Sequence, residues 1–523
     1  MLTLQAASYD WALEHALKFG DTDVFPLPFE FEALKHDWVN VRNWLVTCDV
    51  RAWTVRPHRT LLAPKARYGF RVVTQLDPLD FLVFAATVYE FGQDIEQRRI
   101  PVSQDIVYSY RFYPQPDGQM FDPSIGYAAF QQQTATVLEN SEIEYVAVTD
   151  IADFYSRIYH HRLEGALESA SPLVNHSKSV MHLLKGWNGT ETFGIPVGSA
   201  PARLLAEVTI SDIDDALLAN GVRFIRYNDD YRIFARSPAE GYRHLAFLAD
   251  VLFRNHGLTL QPQKTLVLPK AEFSARFLPS PEDREIDSLR ERFEQLLADL
   301  ELVDHYESID YEDLDDDQRE VVDSLNLGEL FREEIESDHD PDLGVVRFVL
   351  RRMSQLGDGT LVDEVLDNID VLHPLFPEII GYLRSVRGIS AVDRNAIGER
   401  VLDLLEDSII SELEYHRMWA LDLFTRSTEW DNENRFFALL GDAKDLMSRR
   451  KLILAMGRSS QRHWFQSHWR RLFDEAPWPR RAFLAAASCM PPDSRRHWYR
   501  SVEARLDPLE LAVMRWARQN PFA

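Results

Sequence analysis

The residues with the clearest chemical potential are two adjacent carboxylates, Asp229 and Asp230, set within Phe224–Phe234. Apolar residues flank Tyr227-Asn228-Asp229-Asp230 on both sides, which reads as two short strands joined at a tight turn. Neighbouring strand residues point to opposite faces, so only one of the two acids can aim directly at a given point. A carboxylate pinned on a rigid hairpin suits a hard divalent cation such as Mg²⁺, which takes oxygen ligands and keeps waters for a phosphate substrate. An Asp-Asp pair is otherwise an ordinary turn feature, so the weight falls on what surrounds it in the chain.

A third acid, Asp150, ends the run Tyr145-Val146-Ala147-Val148-Thr149. A β-branched run of this kind reads as a buried strand, and an unpaired charge at its end is costly unless a partner such as a metal ion answers it. Tyr155 follows five residues later, and Asp153 reads as an N-cap for the next helix. Gly194–Ala202 is a Gly/Pro/Ser loop opening the amphipathic run Arg203–Leu218. Such a loop presents backbone N–H groups, and Gly198 lets a ligand approach the chain closely. Gly257–Thr265 reads as a turn and strand presenting Lys264, and a strand over Ala271–Leu278 closes this part of the chain. Upstream, Arg51, Arg56, Arg59, Lys65, Arg67 and Arg71 cluster before the apolar run Asp80–Phe91. Gly69 interrupts Lys65–Val73, which predicts a β-hairpin carrying cations. Cations on a hairpin suit a polyphosphate, with a solvated basic face as the plainer alternative.

The elements that must position these groups follow from pattern. Residues 1–50 read as packing helices with Trp11, Trp38 and Trp44 in the core, and helices are predicted over 125–140, 164–186 and 238–256. With 523 residues the chain has room for two or three domains. Its formal charge of −26 argues against a polyanion binder as a whole, yet the charge is uneven. Residues 301–340 hold seventeen acidic side chains against two basic ones, and this segment, after a predicted helix over Glu282–Leu300, reads as a linker or solvated face.

From about Pro341, helix-length segments alternate with short Pro, Gly, Asp or Ser breaks, among them Leu343–Gln355, Ala391–Leu405, Ile409–Thr425, Arg449–Gly457, Arg480–Cys489 and Asp493–Arg505. Paired helices of this kind predict an α-solenoid of the HEAT type. Gly441–Ala523 carries sixteen Lys/Arg against eight Asp/Glu, together with Trp464, Trp469, Trp478, Trp498 and Trp516. Interleaved cations and aromatics suit single-stranded nucleic acid, and equally suit amphipathic repeat helices with Trp in the core. The longest apolar stretches, such as Phe81–Tyr89, fall short of the roughly 18 to 20 residues of a membrane helix. The N-terminus shows no secretory pattern, and Cys48 and Cys489 offer neither a disulfide framework nor a Cys-rich zinc site, so the reducing cytoplasm is the expected setting.

In this order, the stretches resemble the fingers and palm of reverse transcriptases over roughly residues 50–280. Asp150 with Tyr155 resembles the first catalytic motif, Gly194–Ala202 the Pro-Xaa-Gly loop, Tyr227–Asp230 the Tyr-Xaa-Asp-Asp signature and Lys264 the later lysine motif. Within that group the chain looks closest to the prokaryotic defence-associated branch, the abortive-infection and unknown-group enzymes. Pro196-Val197-Gly198 replaces the usual Pro-Gln-Gly, Asn228 replaces an aliphatic or small residue, and a helical region follows the palm.

The resemblance implies an α+β fold: fingers and palm over 1–280, a helix and acidic connection over 281–340, and an α-helical repeat domain over 341–523. It implies an RNA-directed DNA polymerase acting by two-metal nucleotidyl transfer, untemplated or protein-primed synthesis being known in that branch. Asp150, Asp229 and Asp230 would hold two Mg²⁺ ions, with Mn²⁺ an acceptable substitute. Lys65, Arg67 and Arg71 would neutralise the triphosphate, Tyr155 would exclude a 2′ hydroxyl, and Gly198 and Lys264 would line the substrate. The implied partners are deoxynucleoside triphosphates, a DNA product, a non-coding RNA template and further copies of the chain in a homo-oligomer, with no membrane. The competing expectations are a degenerate palm serving as a nucleic-acid sensor or scaffold through the helical repeats, and a palm-fold nucleotide cyclase.

Overall fold

The structure is a computed structural model that describes residues 1–278, 326–337 and 339–522. It divides into two compact units: Met1–Thr60 with Val72–Ser280, and Leu61–Arg71 with Pro281–Ala523. The helix expected over Glu282–Leu300 and most of the acidic segment lie outside the described residues.

In the first unit, α1 (Ala6–Phe19) packs along α2 (Pro78–Arg98). The start of α2 is written locally: Asp77 caps it by accepting from the Leu79 N–H, and Pro78 occupies the first turn, where its missing N–H costs nothing. Its residues from Leu79 to Val88 are buried, so the apolar run seen in the sequence is a core helix. Among the described residues no helix is long and apolar enough to cross a membrane. Strands β1 (Arg59–Ala66) and β2 (Gly69–Gln75) form the expected hairpin, turning at Arg67-Tyr68.

The larger sheet has four strands in the order β4-β5-β3-β6, with β3 Tyr145–Asp150, β4 Arg223–Tyr227, β5 Asp230–Ala235 and β6 Leu266–Pro269. The β3–β5, β3–β6 and β4–β5 pairings are all antiparallel. The central strand β3 is buried on both faces, which accounts for its unbroken apolar run. Val146 and Val148 pack with Phe130 and Leu138 of α3 (Tyr127–Leu138).

Two helices, α4 (His160–Ala170) and α5 (Val174–Asn188), replace the single one expected over 164–186, because Pro172 cannot continue the ladder. The run Arg203–Leu218 is likewise two helices, α6 (Ala200–Thr209) and α7 (Ser211–Ala219). Helix α8 (Pro238–His256) covers the sheet face opposite α3, packing on β3 and β5. The strand expected over Ala271–Leu278 is instead helix α9 (Lys270–Phe277). Pro269 ends β6, and Phe273 and Phe277, one turn apart, stack on each other, with Phe273 buried in the same core as Phe130.

The described residues of the second unit beyond 326 are helical. A series of helices stacks in chain order, each packed on the next: α10 (Leu343–Leu356), α11 (Phe376–Ser385), α12 (Glu414–Asp422), α13 (Leu446–Arg458), α14 (Pro477–Ala486) and α15 (Pro508–Gln519). Trp478 and Trp498 are buried and Trp464, Trp469 and Trp516 half-buried, so these rings serve chiefly as packing. Within this unit the hairpin tip is held by the Arg67–Asp340 ion pair at 2.9 Å and by His373 Nε2, which donates to the Arg67 carbonyl.

Candidate active site

The hairpin that carries the acid pair turns on two residues, Asn228 and Asp229, with Tyr227 paired to Asp230 across it. Asn228 has φ +56°, a left-handed conformation that asparagine tolerates better than most side-chain-bearing residues. Asp229 therefore sits at the turn and Asp230 starts β5, directly opposite Asp150 in the β3–β5 ladder. The Ile151 N–H donates to the Asp229 carbonyl at 3.2 Å, and the Gln261 N–H to the Asp150 carbonyl at 2.7 Å. These bonds lock the end of β3 to the turn on one side and to the Lys264 segment on the other.

The site is acidic and half-buried. Burial, and then the Asp150 carboxyl beside it, push the Asp229 carboxyl up to about 8. Burial also raises Asp230, with Arg232 pulling it back and Asp150 adding to the rise. Asp150 Oδ1 is buried and meets no hydrogen-bond partner among the described residues. Its other oxygen accepts from the Lys264 ammonium. Burial works against the Lys264 charge, but the bond to Asp150 more than offsets it and holds the ammonium above its ordinary value.

Two close carboxyls, one with an unpartnered oxygen and one raised by burial and then by its neighbour, are short of positive charge. That donor set fits Mg²⁺, which takes hard oxygen ligands and draws the rest from water and substrate. Among the described residues no group of three or more His, Cys, Asp and Glu side chains is arranged to enclose an ion.

Behind the turn lies a network that sequence reading did not single out. Arg226 is fully buried and makes a two-pronged contact with Asp214 at 2.7 and 2.6 Å and one with Glu207 at 2.9 Å. It also donates to the Asn228 carbonyl at 3.1 Å. Glu207, in turn, accepts from Arg99 at 2.6 Å and from the Ser109 hydroxyl at 2.5 Å. The same hydroxyl accepts the Asn228 N–H at 2.8 Å. Burial would raise the Glu207 carboxyl, but Arg226 and Arg99 hold it below its ordinary value. The available signal was Arg226 itself, a cation in an apolar strand, and Glu207 within the apolar run of α6.

The other expected residues divide. Tyr155 is half-buried beside the turn, and its hydroxyl donates to Asn228 Oδ1 at 3.3 Å. Gly198 has φ +110°, a conformation that glycine adopts freely, and a Cβ there would touch Thr22 and Val24 at 3.4 Å. The loop is tied to the hairpin base, since the Thr74 N–H donates to the Val197 carbonyl at 3.0 Å. Asp153 precedes a short helix, but its side chain makes no cap bond. Lys65 and Arg71 are exposed and Arg67 is paired with Asp340, all three on the hairpin tip that belongs to the other unit.

The comparison with family models decides how this geometry is placed. Residues 106–278 match the reverse transcriptase (RNA-dependent DNA polymerase) family. The matched stretch contains Asp150, Tyr155, Gly198, Asp229, Asp230 and Lys264, and begins beyond the hairpin that carries Lys65, Arg67 and Arg71. A largely helical C-terminal region accompanies it. No curated protein matches the chain. Among solved structures, telomerase from Candida albicans in complex with a TWJ fragment of telomeric RNA is similar over 75% of this chain and 70% of its own, at 11% identity and a TM-score of 0.32, a likeness too slight to carry an argument.

Proposed function

We propose that the protein is a DNA polymerase of the reverse-transcriptase type, adding deoxynucleotides to a 3′ hydroxyl. The observation that carries this reading is the Asp150–Asp229 pair, half-buried, mutually repelling and with the buried Asp150 Oδ1 unanswered. Asp150 and Asp229 would hold two divalent cations and Asp230 would support them. Such ions activate the attacking hydroxyl and neutralise the leaving diphosphate. Lys264, already on Asp150, lies where it can shift to a phosphate oxygen once a cation takes its place. Tyr155 presents its ring beside the turn, where it would meet the sugar and exclude a 2′ hydroxyl. Gly198 would let the substrate approach the backbone.

The substituted loop Pro196-Val197-Gly198, Asn228 and the serial packing of α10–α15 support a place in the antiviral, abortive-infection branch, with synthesis primed or templated differently from ordinary copying. Purified protein given Mg²⁺ and labelled deoxynucleoside triphosphates should extend DNA, and Asp229→Ala with Asp230→Ala should abolish extension while the far-ultraviolet circular dichroism stays unchanged. Polymerisation by the folded double variant would refute the assignment.

A further inference from the structure

We infer that Asn228 is a positioning residue for sugar selection, acting through Tyr155. This deepens the polymerase reading and rests on it. The Asn228 amide is used at both ends: Oδ1 accepts the Tyr155 hydroxyl at 3.3 Å, and Nδ2 donates to Asp229 Oδ1 at 2.6 Å. One side chain therefore bridges the ring proposed to read the sugar and the acid proposed to hold the cation.

The backbone of Asn228 leaves it little freedom to do otherwise. Its N–H is held by Ser109 Oγ at 2.8 Å, its carbonyl by Arg226 at 3.1 Å, and its φ of +56° is one that few side-chain-bearing residues adopt readily. The residue is 8% exposed. The Tyr155 ring is crowded by Phe154, at 5.4 Å between centroids, and its backbone carbonyl accepts from the Ile195 N–H at 3.1 Å. The hydroxyl bond to Asn228 fixes the far end of that ring. An apolar residue at position 228 would leave the ring tip without this partner, and the wall that meets the 2′ position would loosen.

The test compares wild type, Tyr155→Phe, Asn228→Gly, the double variant and Asn228→Asp in the full chain. Glycine keeps the left-handed backbone and removes the amide; aspartate keeps an acceptor for Tyr155 but loses the donor to Asp229. The readout is the ratio of dissociation constants for dATP and ATP, measured by equilibrium dialysis with Ca²⁺, so that binding is read without transfer. Loss of one hydrogen bond corresponds to a narrowing of about fivefold. Tyr155→Phe and Asn228→Gly should each narrow the preference for dATP by about that factor, the double variant should be no worse than either, and Asn228→Asp should keep the wild-type ratio while binding both nucleotides more weakly. A residue that only shapes the turn would give additive effects, or equal losses in Asn228→Gly and Asn228→Asp, and either result overturns the inference. Wild-type protein that binds both nucleotides without preference removes this inference alone; wild-type protein that binds neither removes the polymerase reading with it.

Discussion

Both units bury an aspartate beside a lysine, and the two sites are opposites. In the helical unit, Asp422 at the end of α12 meets Lys451 of α13, Arg384 of α11 at 2.6 Å and Arg426 at 3.7 Å. Burial would raise its carboxyl, but these cations pull it far below the ordinary range. In the palm, Asp229 faces another carboxyl and is pushed up to about 8. A buried acid surrounded by cations is a structural joint, here tying three stacked helices together. A buried acid left short of cations is a place prepared for something the protein does not itself supply. Burial alone does not separate the two; the balance of charge around the group does.

Amide replacement should break the comparison most visibly. Asp422→Asn strands Lys451 and Arg384 without their counter-charge, and losing one partner of a buried pair costs roughly 3–5 kcal/mol. Chemical denaturation should show that loss, with nucleotide transfer falling only as far as folding falls. Asp229→Asn removes a repulsion, so the midpoint of denaturation should hold or rise while transfer is lost. Equal destabilisation by the two substitutions would erase the distinction.

The pH dependence of stability should carry opposite signs. Asp229 is raised in the folded state, so native protein holds a proton that the unfolded chain releases near 4. Its contribution is present below that value and is lost as pH rises toward about 8. Asp422 is lowered, so its contribution is present above about 4 and is lost as pH falls below it. Melting temperatures in the presence of a chelator should therefore decline between pH 4 and 8 in wild type and decline less in Asp229→Asn. The acid limb should shrink in Asp422→Asn. Identical profiles for wild type and Asp229→Asn would contradict the charge deficit at the turn.

The smallest effect sharpens the contrast between the two lysines. Lys451 is buried, and burial lowers its ammonium to about 8 even against Asp422, whereas Lys264 is half-exposed. Lys264→Gln should cost less than about 1 kcal/mol in stability, as exposed pairs do, and slow transfer by roughly a hundredfold, at the low end of what proton-transfer groups contribute. A change in stability without a change in rate would reassign Lys264 to the structure.

Much of this was legible in the sequence because it is local. The hairpin at Tyr227–Asp230 and the strand into Asp150 each follow from a few neighbouring residues. The misses have physical causes. Pro172 splits one expected helix, and α9 replaces an expected strand because aromatic residues at helical spacing found a core that only the tertiary fold supplies. The Arg226–Glu207–Asp214 network joins residues from β4, α6 and α7, and no local pattern announces such pairings. The tryptophans near the C-terminus read two ways in sequence, and burial of Trp478 and Trp498 assigns those two to packing.

The serial stacking of α10–α15 has a mechanical consequence. Each helix of the series packs on the one before it. Tension applied at the C-terminal end would meet the α14–α15 seam first, then the α13–α14 seam, and the extension record should show a succession of small steps rather than one large one. The Asp422–Lys451–Arg384 joint, which clamps α11, α12 and α13, is where that unravelling should pause longest.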